Sequence, residues 1–172
     1  GDLAPHSQRP YSPIMLQGKK VLLVVTGGIA AFKALDLVRR LRERGCGVRA
    51  VLTEAATQFV TPLSLAALTG EKVHTELFSL TDEAEMGHIE LSRSADLVVI
   101  APATANILAK LANGLADDLA STLLLATDKP VLAAPAMNVR MWEHPATQAN
   151  LTTLRARGTL FVGPNEGDMA CG

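Results

Sequence analysis

Short apolar runs alternate with longer amphipathic stretches along most of this chain. Lys20 to Thr26 (KVLLVVT) is a continuous apolar run rich in β-branched residues, which is typical of a strand buried on both faces. From Ile29 to Arg44 the leucines and valine recur at helical spacing, and Gly45 follows as a C-cap candidate. Repeated strand–helix alternation predicts a three-layer α/β domain on a parallel sheet with right-handed crossovers.

The same pattern continues to the end of the chain. Further strands are predicted at Val48 to Leu52, near Val73, and at Asp96 to Ala101, Pro130 to Ala134 and Gly158 to Val162. Further helices are predicted at Thr61 to Leu68, His88 to Arg93, Thr104 to Ala112, Asp117 to Thr127 and Pro145 to Arg157. Between them, the polar stretch from Glu71 to Gly87 predicts a loop. Residues 1–18 carry three prolines and predict a disordered arm or a remnant of cloning, which leaves 19–172 as one domain.

Composition narrows the function classes. Among 172 residues, a net charge of −1 and only 3% aromatic residues argue against a nucleic-acid-binding surface. Cys46 and Cys171 are far apart, with neither a disulfide framework nor zinc-site spacing, which suits a reducing cytoplasm. The four histidines form no ligand pair at helical spacing, so no metal site is expected. No apolar run is long enough to span a bilayer, so no membrane partner is expected.

Small and polar residues stand where the predicted strands end. Ligands bind at the carboxyl ends of strands in open parallel sheets, so these positions outline a pocket. Gly27, Gly28 and Ile29 turn the first strand into a helix and could approach a phosphate, although a tight turn that binds nothing explains them equally well. The other candidates are Thr53, Thr104 and Asn106 for a phosphorylated cofactor, with helix capping by Thr104 weighed equally.

Three more side chains carry candidate chemistry, each beside a plainer interpretation. His88 has the acid–base range of a catalytic group, but a lone histidine is more often a surface or capping residue. The amide of Asn138 suits a carboxylate or carbonyl, and it equally suits a turn. Cys171 is either a mobile reactive thiol or an incidental cysteine near the chain end. Met141 and Trp142 are interpreted mainly as packing residues that shape the loop.

Five segments together resemble one family. In order they are GGIAAFKA, MGHIELSRSADLVVIAPATAN, AKLANGLADD, APAMNVRMWEHPATQ and the closing ACG. The chain thereby resembles the homo-oligomeric flavin-containing cysteine decarboxylases over roughly residues 18–172. The resemblance implies a flavodoxin-like Rossmann fold with bound FMN. It also implies homotrimers, with each flavin near a subunit interface, that often assemble further into a dodecamer.

The resemblance is strongest with the coenzyme A branch of the family. It implies decarboxylation of 4′-phosphopantothenoylcysteine to 4′-phosphopantetheine, through oxidation of the thiol to a thioaldehyde, loss of CO2 and re-reduction. His88 matches the catalytic histidine, Asn138 the residue that holds the substrate carboxylate, and Cys171 the flap cysteine that protonates the enethiolate. Met141 is implied as a further substrate contact. The residues implied around FMN are Gly27, Gly28, Ile29, Thr53, Thr104, Asn106 and Met137.

Two departures and two alternatives remain. The family's flap continues past its cysteine, whereas this chain stops at Gly172, so a truncated flap and an absent downstream ligase domain are expected. Many relatives carry serine where this chain has Gly28. A peptidyl-cysteine decarboxylase acting on a precursor peptide shares the chemistry. A non-enzymatic regulatory relative is the other alternative, although all three of His88, Asn138 and Cys171 are present.

Overall fold

The computed structural model describes residues 16–75, 82–165 and 169, without the side chains of 82–86 and 88. The strands are β1 (Lys20–Val25), β2 (Gly47–Leu52), β3 (His74–Thr75), β4 (Leu97–Ala103), β5 (Val131–Pro135) and β6 (Leu160–Phe161). The α-helices are α1 (Lys33–Glu43), α2 (Pro62–Thr69), α3 (Asp82–Arg93), α4 (Ala105–Asn113), α5 (Leu119–Ala126), α6 (Val139–Glu143) and α7 (Pro145–Ala156). Two 3-10 helices cover Ile29–Phe32 and Ala55–Gln58.

The sheet is parallel, as predicted, in the order β3-β2-β1-β4-β5-β6. Without the two-residue strand β3 at its edge, the remaining strands run in the flavodoxin order, second-first-third-fourth-fifth. The strand order reverses between β1 and β4. Connections on the two sides of this point leave in opposite directions, so a crevice opens there at the carboxyl ends of the strands.

Helices lie on both faces of the sheet because the side chains of each strand alternate between them. In β1, Leu22 and Val24 are buried against α3, α4, α5 and α7, while Val21, Leu23 and Val25 are buried against α1 and α2. The strand is therefore covered on both sides, which explains its unbroken apolar sequence. The predicted three-layer α/β architecture is confirmed.

The layer formed by α1 and α2 covers only part of its side of the sheet. These two helices contact β2 most extensively among the strands. At the far edge, Phe161 packs into the core on the opposite side, so its neighbours Leu160 and Val162 point toward the α1 side by strand alternation. Both are more than half exposed, at 56% and 58%. An apolar strip of the sheet is therefore open to solvent within the described chain.

Two helices differ from the sequence prediction. The stretch predicted as a loop up to Gly87 becomes helical at Asp82, because packing of Leu91 in the core outweighs one interior glycine. The segment after Asn138 was predicted as a loop but forms the five-residue helix α6. Its apolar positions are too few to produce a helical period in the sequence.

A small charged cluster joins α4 to α5. Lys110 Nζ lies 2.9 Å from Asp117 Oδ1 and 3.0 Å from Asp118 Oδ2. Asp118 also caps α5 and forms a capping box with Ser121. Burial alone would raise the pKa of the Asp118 carboxyl, but hydrogen bonds from Ser121 and the Lys110 ammonium hold it below its usual value. The cluster therefore stabilises the ionised form of Asp118.

Replacing Asp118 with alanine is expected to lower the free energy of unfolding by about 1–2 kcal/mol, since a capped helix start is lost. Asp118→Asn keeps the cap and removes only the charge. Because the folded-state pKa is lowered, the charge stabilises the fold above the usual carboxyl pKa of about 3.9 and loses this effect as the pH falls through the folded value. Denaturant titrations at several pH values measure both effects.

Asp117→Ala is the matched control for this experiment. Asp117 also pairs with Lys110, but its side chain is 66% exposed against 16% for Asp118. An exposed ion pair contributes little to stability, so the control is expected to change the free energy of unfolding by less than about 1 kcal/mol. Equal losses in the two alanine variants would contradict the assigned capping role.

Candidate active site

A cavity of about 450 Å³ opens at the carboxyl ends of β1, β4 and β5, where the strand order reverses. Such a crevice is the usual ligand position in an open parallel α/β sheet. The predicted site residues that line it are Gly27, Gly28, Ile29, Thr104, Asn106, Met137, Asn138 and Met141. The other lining residues are Ala30, Phe32, Lys33, Pro102, Ala105 and Ala136.

One buried hydroxyl joins the two strand ends that form the floor of the crevice. Thr26, 2% exposed, follows β1, and its Oγ1 donates to the carbonyl oxygen of Pro102 at 2.5 Å. Thr26 Oγ1 itself accepts from the backbone N–H of Thr104 at 3.2 Å. The end of β1 is therefore hydrogen-bonded across the crevice to the end of β4. A buried hydroxyl satisfied in this way stabilises the arrangement that it joins.

The loop after β1 passes very close to the loop after β2. A Cβ added at Gly27 would overlap the side chain of Ala55 and lie 3.0 Å from the Ala55 carbonyl carbon. Only glycine fits this approach. Gly28 has φ +153°, a backbone conformation that side-chain-bearing residues rarely adopt, although a Cβ there would meet only Thr104 Cγ2 at 3.8 Å. Gly27 therefore allows the close approach of the two loops, and Gly28 allows the unusual backbone conformation of this cavity wall.

Two of the predicted ligand-binding side chains also cap helices. Thr104 Oγ1 accepts from Ile107 N at 3.3 Å at the start of α4. Asn138 Oδ1 accepts from Arg140 N at 2.8 Å at the start of α6. Capping fixes the orientation of both side chains at the cavity wall. In Asn138 it leaves the amide N–H groups as the part of the side chain that can donate to a ligand.

Thr53 stands apart from this group. It is 8% exposed and is not among the residues lining the cavity. Its Oγ1 accepts from Ala56 N at 3.1 Å, at the start of the 3-10 helix after β2. Its link to the cavity runs through the neighbouring Ala55, which contacts Gly27. A cofactor contact by Thr53 remains a prediction.

The two other predicted catalytic residues are His88 and Cys171. His88 lies in α3, but its side chain is outside the described part of the chain. Cys171 lies wholly outside the described residues. Their proposed roles come from the sequence resemblance.

The cavity lining is largely apolar and nearly uncharged. Ile29, Phe32, Met137 and Met141 supply large apolar surfaces, and Lys33 is the one charged residue among the described residues that line the cavity. Such a wall suits a flat, apolar ligand, with a few polar groups to fix its orientation. Among the described residues, no group of three or more His, Cys, Asp or Glu could hold a metal ion. In that part of the chain no helix is long and apolar enough to cross a membrane.

The sequence assigned no role to Phe32 or Lys33, both of which line the cavity. Phe32 and Lys33 follow the glycine pair by several residues, and their sequence looks like an ordinary helix start. Their place at the cavity depends on the fold.

Comparison with known proteins gives concordant results. The chain is 55% identical over 157 residues to the coenzyme A biosynthesis bifunctional protein CoaBC of Escherichia coli K12, which covers 91% of this chain and 39% of that protein. The chain thus spans well under half the length of such relatives. The structure of the FMN-dependent cysteine decarboxylase SpaF matches with a TM-score of 0.80 at 35% identity, covering 88% of this chain and 87% of SpaF.

A second structure, a PPC decarboxylase variant complexed with pantothenoylaminoethenethiol, matches with a TM-score of 0.71 at 36% identity and covers 86% of this chain and 82% of that protein. These similarities extend over the sheet and its helices and confirm the predicted flavodoxin-like fold. The profile of the family described as Flavoprotein matches residues 11–172, nearly the whole sequence. This chain therefore belongs to the Flavoprotein family.

Proposed function

We propose that the chain is an FMN-dependent cysteine decarboxylase that converts 4′-phosphopantothenoylcysteine to 4′-phosphopantetheine in coenzyme A biosynthesis. The observation that carries this proposal is the cavity at the strand-order reversal, with the amide of Asn138 fixed at its wall. The relatives support it, since CoaBC is named for coenzyme A biosynthesis and SpaF for FMN-dependent cysteine decarboxylation. The catalytic domain is assigned to residues 19–172.

The residues present fit FMN. Gly27 and Gly28 bring the backbone against the cavity without side chains, which suits the approach of a phosphate. Met137 and Ile29 supply apolar surface for the flat ring system, while Thr104 and Asn106 offer polar groups at the start of α4. Thr53 is assigned to the phosphate end, through the loop that contacts Gly27. When bound, FMN supplies reversible two-electron oxidation and reduction.

Four side chains are assigned to substrate binding and proton transfer. His88 takes the proton of the substrate thiol during oxidation, and Asn138 donates its amide N–H groups to the carboxylate that is lost as CO2. Holding that carboxylate in place orients the scissile bond toward the cofactor. Met141 packs beside the substrate. Cys171 donates a proton to the enethiolate that remains after CO2 has left.

Anaerobic visible spectroscopy tests the function. The purified yellow protein is expected to lose its flavin absorbance on addition of 4′-phosphopantothenoylcysteine and to release CO2. The variant His88→Asn is expected to keep FMN but to lower the rate of bleaching by about a hundredfold or more, since the thiol proton has no acceptor. A peptide with a C-terminal cysteine serves as the alternative substrate.

Each result of this experiment separates two functions. Turnover of the peptide but not of phosphopantothenoylcysteine would replace the proposal by a peptidyl-cysteine decarboxylase. Bound FMN that responds to neither compound would favour a regulatory protein. Full CO2 release by His88→Asn would refute the role given to His88. Bleaching without return of the oxidised spectrum would locate the defect in the final reduction, where Cys171 is assigned.

The active assembly is proposed to be a homotrimer, with further association to a dodecamer. Support comes from the apolar strip with Leu160 and Val162, and from Ile29 and Phe32, which are 72% and 56% exposed at the cavity. Large apolar side chains exposed in this way are typical of protein interfaces. A trimer that buried these side chains would place a subunit boundary beside the cofactor.

Light scattering coupled to gel filtration tests the assembly. The wild-type protein is expected at three times the chain mass of 18.1 kDa, or at a multiple of the trimer. Val162→Glu inserts a charge into the apolar strip and is expected to give smaller species, because an unpaired buried charge is costly. Leu63→Glu, at a 79% exposed position on α2, is the control. A monomeric wild-type protein would contradict the proposed assembly.

A further inference from the structure

Asn138 lies at the cavity on a helix that is too short to hold its own position. It begins α6, which has only five residues, and its contacts with Arg140 N and Trp142 N lie within that turn. Isolated helices of this length are not stable in water, so tertiary contacts must hold them. Met141, in the same helix, also lines the cavity. The position of this cavity wall therefore depends on what fixes α6 to the rest of the domain.

Trp142 fixes α6 through its side chain and through its backbone. The side chain is partly buried and packs against the hydrophobic core. The backbone carbonyl, in the last turn of α6, accepts from Gln148 Nε2 at 2.6 Å. Carbonyl groups in the last turn of a helix have no partner within the helix, so this one is satisfied from outside. Gln148 thus supplies the polar contact that holds the end of α6.

Gln148 is itself held in place, because α7 is part of the core. Leu151 and Leu154 of that helix are 0% and 2% exposed. The backbone N–H of Gln148 also donates at 3.1 Å to the carbonyl of His144, the residue that separates α6 from α7. Gln148 therefore contacts the corner between the two helices through both its backbone and its side chain.

We infer that Gln148 is a positioning residue of the proposed reaction and acts on Asn138 through Trp142. The side-chain amide of Gln148 holds the Trp142 carbonyl, and the N–H of Trp142 donates to the Asn138 carbonyl at 3.0 Å. Gln148 is exposed and is not among the described residues that line the cavity, so we assign it no contact with substrate. The inference rests on the proposed function, in which Asn138 holds the substrate carboxylate. Small displacements of such a group are costly in rate.

The first test observes the corner between α6 and α7 directly, because Trp142 is the one tryptophan of the chain. In Gln148→Ala the Trp142 carbonyl loses its side-chain donor and α6 gains freedom to move. The emission anisotropy of the tryptophan in the FMN-loaded protein is therefore expected to fall. Thr152→Ala is the matched control. The Thr152 hydroxyl, also exposed on α7, donates to the Gln148 carbonyl at 3.1 Å, so this variant loses one hydrogen bond of the same helix without touching α6.

The second test measures how well the carboxylate is held, without turnover. Titration calorimetry on the FMN-loaded protein compares two thiol-free ligands, 4′-phosphopantothenoylserine and the analogue that lacks its carboxylate. The wild-type protein is expected to prefer the ligand with the carboxylate, and Gln148→Ala to lower this preference by about five- to tenfold, the range of one hydrogen bond. Gln148→Arg, which restores a donor, is expected to keep most of the preference. Gln148→Glu replaces the donor by an ionised acceptor and is expected to lose at least as much as Gln148→Ala.

A double-mutant cycle shows whether the effect passes through Asn138. In the Asn138→Asp background, Gln148→Ala is expected to cause no further fall in the carboxylate preference, because residues that act as one unit are not additive. Effects that multiply would show that Gln148 acts independently of Asn138 and would overturn the inference. So would an unchanged preference in Gln148→Ala, or equal losses in Gln148→Ala and Thr152→Ala.

Steady-state kinetics separates this inference from the proposed function. If the wild-type protein releases CO2 from 4′-phosphopantothenoylcysteine, kcat/KM of Gln148→Ala is expected to fall by about five- to tenfold as well, with an unchanged dissociation constant for FMN. If the wild-type protein releases no CO2, the proposed reaction fails whatever residue stands at position 148. The carboxylate preference needs no turnover, so its dependence on Gln148 would then uphold the positioning role and reject the reaction.

Discussion

Asn138→Asp is expected to lower kcat/KM for phosphopantothenoylcysteine by about a hundredfold or more while leaving the fold intact. The substitution changes the amide that is proposed to donate to the substrate carboxylate into a second carboxylate. Like charges at hydrogen-bonding distance repel, and removal of one preorganised donor alone often costs about a hundredfold in rate. Aspartate caps helices as well as asparagine does, so the contact from Arg140 N to the side-chain oxygen is retained.

Steady-state kinetics and bound flavin measure this result together. The FMN content and thermal transition of Asn138→Asp should match those of the wild-type protein, which separates lost chemistry from lost structure. Asn113→Asp, the same change at an exposed position ending α4, is the control and should keep full activity. Wild-type kcat/KM in Asn138→Asp would show that this amide does not bind the carboxylate.

Gly27→Ala is expected to be the most damaging small substitution at the cavity wall. The new methyl would overlap the side chain of Ala55, so one of the two loops must move. Overpacking of this kind costs about 1–3 kcal/mol, and here the displacement would distort the backbone proposed to hold the cofactor phosphate. We expect a fall of several degrees in Tm and loss of bound FMN on gel filtration.

A second substitution makes this prediction specific. Ala55→Gly removes the methyl that Gly27→Ala would meet, so the double variant should recover part of the stability and of the bound flavin. Recovery is partial because the Ala55 carbonyl carbon would still lie 3.0 Å from the new Cβ. Gly87→Ala is the control, since nothing lies within 4 Å of a Cβ there and alanine favours the helix. No rescue by Ala55→Gly would show that crowding against Ala55 is not the cause.

The sequence predicts the sheet well because a strand buried on both faces has a continuous apolar sequence. The apolar run of β1 matches the strand Lys20–Val25 to within a residue. Where local signals compete, prediction fails. The sequence predicts a loop that ends at Gly87, whereas α3 already begins at Asp82 and includes Gly87. Packing of Leu91 in the core stabilises this helix. Tertiary contacts, which a linear pattern does not record, decide such cases.

The sequence likewise predicts some residues of the candidate site and not others. The glycine pair and Asn138 could be found because they follow strands, and strand ends of a parallel sheet meet at one edge. Lys33 could not, because its place at the cavity depends on how the 3-10 helix Ile29–Phe32 turns the chain before α1. The hydrogen bond of Thr26 could not be predicted from the sequence, because its partner, the Pro102 carbonyl, lies 76 residues away.

The Thr26 hydroxyl affects how the crevice responds to ligand binding. At the point where strand order reverses, the connections after β1 and β4 diverge, and no shared loop ties them together. The hydrogen bonds from Thr26 to Pro102 and Thr104 hold the ends of β1 and β4 at a fixed distance. The chain itself therefore sets the spacing of the two cavity walls. The loops beyond Thr26 can vary in sequence and reach while the spacing of the walls stays constant. A cavity whose walls are held at a fixed spacing suits the flat ring system of the proposed cofactor.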